Sequence, residues 1–287
     1  MNTYEEKKQK FMEDKLQEPY SYSENYVAFL DLLGFKDLCR TKLRCEEIKA
    51  IFNDIELLKW CFDNTLSLLM FSEGIRQQCT FTVMSDSIII SAPANDEGLS
   101  FMLFLCGKIQ NMLLKNPHTI LLRGGIAKGS FYKLDNLTFG PALIDAYTLE
   151  NSVAFYPRVV ISEEIVSDLR QRNIIANSKS TVERYLKKYR DNQDSSQPQI
   201  ELFIQKSKDD SYSFVDYLNP LELITLRQQP ETIQTIRNHI IDGCLDQNTR
   251  HQQKYRWLLC YFNDKMKHFF LSDMSQYIIC LEDNSHA

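Results

Sequence analysis

The stretch Tyr26-Val-Ala-Phe-Leu-Asp-Leu-Leu-Gly-Phe35 decides the fold, because it combines a strand pattern with a single acid. Its apolar residues predict a buried strand, and Gly34 predicts a turn into a helix that follows. Asp31 lies within the apolar run, where an unpaired carboxylate would cost on the order of several kcal/mol. We therefore expect Asp31 to meet a metal ion, a cation or hydrogen-bond donors, with capping of the following helix as the alternative.

The bulk properties of the chain narrow the function classes. Its 287 residues are enough for one large domain or for a domain with an appendage. A net charge of −5 argues against a broad nucleic-acid-binding surface. No apolar run approaches the roughly 18–20 residues of a membrane span. The polar N-terminus lacks the apolar core of a signal peptide, so a cytoplasmic protein is expected.

Cysteine and histidine spacing gives no sign of zinc or thiol chemistry. The eight cysteines form no C-x-x-C pair, and most lie in apolar contexts that are typical of buried, reduced thiols. The five histidines have no metal-ligand spacing. Catalysis, if present, should depend on other groups.

A second acid follows in the next strand pattern. Two β-rich runs flank Ser85-Asp86-Ser87 and predict a hairpin with Asp86 at its tip. The order strand–helix–helix–hairpin–helix–strand–helix–strand predicts an α+β palm, an antiparallel sheet with helices on one face. In such a palm the end of the first strand lies beside the hairpin tip, so Asp31 and Asp86 should meet. Two adjacent carboxylates favour a cation between them, and oxygen ligands favour Mg²⁺ or Mn²⁺.

Five segments in order and in register make the chain resemble the class III nucleotidyl cyclases. The similarity covers about residues 24–165 and is carried by Phe29-Leu-Asp-Leu-Leu-Gly-Phe35, Met84-Ser-Asp-Ser87, Leu122-Arg-Gly-Gly-Ile-Ala-Lys-Gly129, Phe139-Gly-Pro-Ala-Leu-Ile-Asp-Ala-Tyr-Thr-Leu-Glu150 and Tyr156-Pro-Arg-Val-Val-Ile-Ser162. The variant forms look most like the pyrimidine cyclases of bacterial Pycsar antiphage systems. The resemblance implies a ferredoxin-like palm and a homodimer with active sites at its interface.

The residue pattern along the chain, together with the resemblance, predicts a division into three parts. Residues 1–23 would be a polar lead-in. Residues 24–218 would be the cyclase catalytic domain, with its core at 24–165 and a loop and hairpin over 171–218. Residues 219–287 would be a helical C-terminal extension. In the hairpin, Asp209 and Asp210 are expected to form a solvated turn.

Metal and triphosphate ligands follow from the matched positions. Asp31 and Asp86 match the metal-binding aspartates of the family, and the carbonyl of Leu32 matches its backbone ligand. The turn Leu33-Gly34-Phe35 matches the amides that hold the triphosphate, which suits a helix N-terminus. Two Mg²⁺ or Mn²⁺ ions per active site are implied. Such a pair, ~3.5–4 Å apart, can activate an attacking hydroxyl and stabilise a leaving phosphate.

Four positions depart from the purine cyclases. The residues that select adenine are replaced by Thr82 and Leu137, which should contact the base but cannot reproduce the purine pattern. The family's transition-state Asn and Arg are replaced by Ile144 and Thr148. Selection of a purine is therefore in doubt, a smaller base becomes plausible, and phosphate stabilisation must come from elsewhere.

Two arginines could supply the missing phosphate contact. Arg158 is the preferred catalytic candidate, with a structural ion pair as the alternative. Arg123 is a weaker candidate for nucleotide binding and is expected more often to be structural.

The resemblance, with these departures from the purine pattern, implies a pyrimidine nucleotidyl cyclase that converts UTP or CTP to cUMP or cCMP plus pyrophosphate. It would be the second-messenger synthase of an antiphage system, with a separate effector that responds to the cyclic nucleotide. The losses at Ile144 and Thr148 leave one alternative open, a degenerate cyclase domain that serves as a nucleotide-binding or dimerisation module. A purine (adenylate) cyclase is a further alternative. A diguanylate cyclase is not expected, since its Gly-Gly-Asp/Glu-Glu-Phe hairpin is absent.

Overall fold

The computed structural model describes residues 3–16, 23–35, 53, 56–64, 71–115, 121–134, 137–175, 200–268 and 272–281. Most of the loop expected after residue 171, at 176–199, lies outside these ranges. Helix α1 (Tyr4–Leu16) lies within the predicted polar lead-in. Among the described helices, none is long and apolar enough to cross a membrane.

A mixed sheet forms the centre of the molecule. Its strands are β1 (Ser23–Leu33), β2 (Thr80–Met84), β3 (Ser87–Pro93), β4 (Leu121–Leu134), β5 (Leu137–Phe139), β6 (Val159–Ile161), β7 (Ile204–Lys206) and β8 (Ser213–Val215). They are ordered β2-β3-β1-β4-β6-β8-β7, with β5 paired to the end of β4. The antiparallel order β2-β3-β1-β4, with helical segments after β1 and β3, is ferredoxin-like. The predicted α+β palm is therefore confirmed, and among the described strands only β6 pairs in parallel, with β4.

The remaining helices follow the sequence periodicity. They are α2 (Glu73–Gln78), α3 (Asp96–Lys115), α4 (Pro141–Ser152), α5 (Glu163–Gln171), α6 (Pro220–Arg227), α7 (Pro230–Cys244) and α8 (Thr249–His268). Residues 56–64 are also helical. The predicted helical character of the chain after Pro220 is confirmed by the last three.

Helices pack on both faces of the sheet, which corrects the expectation of helices on one face. Along β1, Ala28 and Leu30 point into the main core, which contains α3. Val27, the alternate neighbour, packs instead against Ala142 and Ala146 of α4. Because side chains alternate along a strand, Asp31 shares the face of Val27 and α4. The second covered face therefore carries the candidate site.

The C-terminal helices pack against the palm. Their apolar cluster includes Leu121 of β4 and Phe214 of β8. The Glu222 carboxylate on α6 pairs with Lys108 at 2.6 Å and with Lys115 at 3.4 Å, both on α3. Apolar contacts and a partly buried charge cluster thus fix the C-terminal helices to the rest of the molecule.

Candidate active site

The two acids of the sequence motif lie beside each other. Asp31 is opposite Ser87 in the β1–β3 ladder, one residue from Asp86. The Leu32 N–H donates a hydrogen bond to the Asp86 carbonyl at 3.0 Å, which ties the end of β1 to the hairpin tip. Ser85 allows the tight reversal by adopting a left-handed φ of 60°. The element order therefore predicted this meeting of the acids correctly.

An arginine reaches the first of these acids. Arg123, opposite Asp31 on β4, donates from Nε to Asp31 Oδ2 at 3.1 Å. Burial raises the pKa of the Asp31 carboxyl, the hydrogen bond and charge of Arg123 oppose this rise, and the charge of Asp86 adds to it. Arg123 thus partly neutralises the acids, in keeping with the structural role that the sequence left open.

Glu150 is a third acid of the site, and the sequence reasoning gave it no role. Its Oε1 lies 2.6 Å from an Arg123 guanidinium nitrogen, and its side chain is almost fully buried. Burial is the main reason why the pKa of Glu150 is raised; Arg123 lowers it, and Asp31 and Asp86 raise it further. A four-residue spacing with the buried Ala142 and Ala146 of α4 could have revealed that Glu150 faces the sheet.

Arg158 occupies a different position from the one expected of a phosphate ligand. Its side chain is fully buried, and its two terminal nitrogens bind both oxygens of Asp210, one at 3.1 Å. Its guanidinium carbon lies 5.5–5.8 Å from three ring centroids, those of Tyr156, Phe214 and Trp257. The geometry favours the structural ion pair. It also corrects the expectation for Asp210, which is an ion-pair partner and not simply part of a solvated turn.

Thr82 and Leu137, the two residues expected to contact the base, lie near the end of the β4–β5 hairpin. Lys133 Nζ donates to the Thr82 hydroxyl at 3.0 Å, and Leu137 is exposed on β5. The hydroxyl of Thr82 therefore already has a partner within the chain. Lys133 was missed by the sequence reasoning, since nothing local places the end of β4 near β2.

The turn after β1 has the backbone that its sequence predicts. Gly34 has a φ of 86°, in the left-handed region where glycine is favoured. Leu33 packs against the C-terminal apolar cluster, and Phe35 against the main core. The residues that follow Phe35 lie outside the described ranges, so the expected helix N-terminus is not among the described elements.

The C-terminal extension brings a cation to the site. The negative charge of Asp31 raises the pKa of Lys254 on α8, and the positive charge of Lys254 lowers the pKa of Asp31. Burial lowers the pKa of Lys254, and the positive charge of Arg123 lowers it further. Sequence alone could not place Lys254 here, because more than 220 residues separate it from Asp31.

The oxygen atoms at this position suit a hard divalent cation. Asp31 uses Oδ2 for Arg123. The Asp86 carboxylate makes no hydrogen bond or ion pair with the residues that the structure describes. Within the described ranges, no group of three or more His, Cys, Asp or Glu side chains is arranged to hold a metal ion. The Asp31 and Asp86 carboxylates supply oxygen atoms here, and carboxylate oxygens fit Mg²⁺ or Mn²⁺.

Comparisons with known proteins give distant structural likenesses. No family model matches the chain, and no curated protein matches it. The chain is similar to the adenylyl cyclase CyaB from P. aeruginosa, at 14% identity and a TM-score of 0.42 over 53% of this chain and 82% of that one. It is also similar to the dimeric guanylyl cyclase domain of the RhoGC fusion protein from the aquatic fungus Blastocladiella emersonii, at 13% identity and a TM-score of 0.42 over 68% of this chain and 93% of that one. Similarities this distant do not indicate the activity of this chain.

Proposed function

We propose that the chain is a nucleotidyl cyclase that converts UTP or CTP to the 3′,5′-cyclic monophosphate and pyrophosphate. The observation that carries the proposal is the meeting of Asp31 and Asp86, from distant parts of the sequence, at the end of β1. Their spacing within the cyclase-like motifs supports the same reaction. Thr82 and Leu137, in place of the purine-selecting residues, support a pyrimidine base.

The reaction is an internal phosphoryl transfer. The ribose 3′-hydroxyl attacks the α-phosphorus, the bond from that phosphorus to the bridging oxygen breaks, and pyrophosphate leaves while the hydroxyl proton passes to solvent. Asp31, Asp86 and the Leu32 carbonyl would hold two Mg²⁺ or Mn²⁺ ions. When bound, such ions acidify the hydroxyl and stabilise the negative charge on the leaving group. Leu33, Gly34 and Phe35 would position the triphosphate through their backbone amides.

A homodimer is part of the proposal. Exposed apolar residues lie on α4, at Ile144 and Tyr147, and on β2 and β5, at Met84, Leu137 and Phe139. An apolar surface of this kind is typical of a protein–protein contact. A second copy of the chain would cover it and would complete each active site with residues of its partner. The cyclic product would act as a second messenger in antiphage defence and would bind a separate effector.

A second candidate function has an observation in its favour. Arg123 already donates to Asp31 and lies against Glu150. An arginine in this place can neutralise the acids without a metal ion, as in a degenerate domain that only binds nucleotide or a partner. The two candidates differ in whether Asp31 and Asp86 are needed for turnover.

Turnover with defined substrates distinguishes these candidates. Purified protein with Mn²⁺ and each of UTP, CTP, ATP and GTP should yield cUMP or cCMP, detected by mass spectrometry. Asp31→Asn and Asp86→Asn should abolish the product, whereas Asp209→Asn, a control on an exposed turn, should leave it unchanged. Cyclisation of ATP or GTP alone would rule out the pyrimidine assignment. Absence of any cyclic product would favour the degenerate domain.

A further inference from the structure

Lys133, at the end of β4, is a partly buried cation whose hydrogen-bond partner is neutral. Its Nζ donates to the Thr82 hydroxyl at 3.0 Å, which joins the β4–β5 hairpin to β2. Within the described residues Lys133 makes no ion pair with a carboxylate, and burial lowers the pKa of its ammonium. An ammonium has three N–H donors, and the hydrogen bond with Thr82 uses only one of them.

Strand register places this hydrogen bond on the sheet face that carries Asp31. Thr82 lies opposite Ile89 of β3, and Ile89 lies opposite Phe29 of β1. Residues directly opposite each other in a ladder share a face, and Phe29 is two residues before Asp31 on the same strand. Thr82 and Asp31 therefore share a face, in neighbouring rows of cross-strand pairs. The ammonium of Lys133 meets the sheet on the face of the proposed active site.

The polar groups around Lys133 are suited to donate hydrogen bonds. Thr138 lies opposite Lys133 in the β4–β5 ladder, so these two side chains share a face of the hairpin. The Thr82 hydroxyl accepts from Lys133, which leaves its own proton available for another acceptor. A carbonyl oxygen fits such donors, whereas an amino group beside an ammonium would place donor against donor.

We propose that Lys133 selects the base of the nucleotide by donating a hydrogen bond to the O4 carbonyl of uracil. This inference rests on the proposed function, which puts the base beside Thr82, and it narrows the substrate from UTP or CTP to UTP. Uracil has a carbonyl oxygen at the ring position where cytosine has an amino group. That amino group donates and cannot accept from Lys133. Thr82 is the positioning residue that holds the ammonium in place.

Binding of substrate analogues tests this contact without turnover. The analogues 3′-deoxy-UTP and 3′-deoxy-CTP lack the attacking hydroxyl and cannot be cyclised. Isothermal titration calorimetry of the full chain with Mn²⁺ measures both affinities. The wild type should bind the uridine analogue about tenfold more tightly, the contribution of one charged hydrogen bond. Lys133→Met should weaken binding of the uridine analogue about tenfold and leave that of the cytidine analogue nearly unchanged.

Further variants separate base selection from a structural role. Lys133→Glu should reverse the preference, because a carboxylate accepts from the amino group of cytosine. Thr82→Val should reduce the preference for the uridine analogue, since it removes the group that positions the ammonium. Thr80→Val is the matched control and should leave the preference unchanged. It removes a hydroxyl of the same strand that bonds to Ser91 at 2.6 Å.

The outcomes separate this contact from the proposed reaction. A preference for the uridine analogue that depends on Lys133, in a protein that cyclises no nucleotide, would support the contact and contradict the reaction. Three results would overturn the contact even if UTP is cyclised: equal or tighter binding of the cytidine analogue by the wild type, no binding of either analogue, or an unchanged preference in Lys133→Met. A purely structural role would lower both affinities together and leave their ratio as in the wild type.

Discussion

At the scale of single residues, Arg158 and Arg123 differ in burial and in the carboxylates with which they pair. Arg158 is sealed among aromatic rings and bound to Asp210. Arg123 lies partly exposed between Asp31 and Glu150. A fully buried arginine depends on its carboxylate partner, since its charge has no water to solvate it and is costly to leave unpaired. A partly exposed arginine between two acids, such as Arg123, instead neutralises part of the negative charge of the site.

Replacement of Asp210 should therefore destabilise the protein strongly. Asp210→Asn leaves Arg158 buried and without a counter-charge, which is expected to cost about 3–5 kcal/mol of unfolding free energy. Denaturant unfolding measures this change. Asp209→Asn, the adjacent acid on the same turn, should change it by less than ~0.5 kcal/mol. Equal stability of the two variants would mean that Arg158 does not depend on Asp210.

The stabilisation by Asp210 should also depend on pH. Burial raises the pKa of Asp210, but the hydrogen bond and charge of Arg158 more than offset this, so the pKa lies below its ordinary value. A carboxyl with a lower pKa in the folded state stabilises the protein above its unfolded pKa of ~3.9, and loses this effect as the pH falls further. The difference in Tm between wild type and Asp210→Asn should accordingly narrow below about pH 4. A difference that stays constant down to pH 2 would contradict this.

At the scale of elements, the close approach of α4 to the sheet positions Glu150. Gly125 of β4 makes the approach possible, because a Cβ there would lie 2.5 Å from the Leu149 Cβ and 3.1 Å from the Glu150 N, and would also meet the Ala146 carbonyl. Two of these three atoms belong to the helix backbone and cannot move alone. Helix α4 would have to shift as a unit.

Gly125→Ala should consequently cost about 2 kcal/mol or more of stability and reduce activity, because the shift moves Glu150 away from Arg123. Thermal unfolding and the cyclase assay measure the two effects. Gly74→Ala is the matched control: the nearest atom to its Cβ is 3.8 Å away, and alanine in helix α2 should be neutral or stabilising by up to ~1 kcal/mol. An unchanged Tm for Gly125→Ala would mean that α4 can move at little cost.

At the scale of the whole molecule, the sheet has one face covered by α3 and the other only partly covered by α4. The apolar side chains that remain exposed around α4 are the surface on which we propose dimerisation. Ile144 is 65% exposed there, and Leu245, at the end of α7, is equally exposed at 64%. Because Ile144 and Leu245 are equally exposed at two distant places, substitutions of these two residues can be compared directly.

Ile144→Asp should convert the dimer to a monomer, because a buried charge at the interface is costly to desolvate. Sedimentation velocity measures the change in mass, and activity should fall with it. Leu245→Asp should remain dimeric and active. A wild-type monomer at micromolar concentration, or a dimeric Ile144→Asp, would place the interface elsewhere.

Features that depend on neighbouring residues could be predicted from the amino-acid sequence alone. The apolar run around Asp31, the hairpin around Asp86 and the order of the elements were enough to predict the palm and the meeting of the two acids. Local patterns succeed here because strand, turn and helix formation depend on residues close in the chain.

The pairing of charges, in contrast, became visible only in the folded chain. Arg158 pairs with Asp210, Glu150 faces Arg123, and Lys254 approaches Asp31. The sequence left the role of Arg158 open and did not indicate the positions of the other two. The physical reason is that ion pairs form between segments far apart in the chain. Their energies therefore depend on burial and distance after packing, which no local pattern encodes.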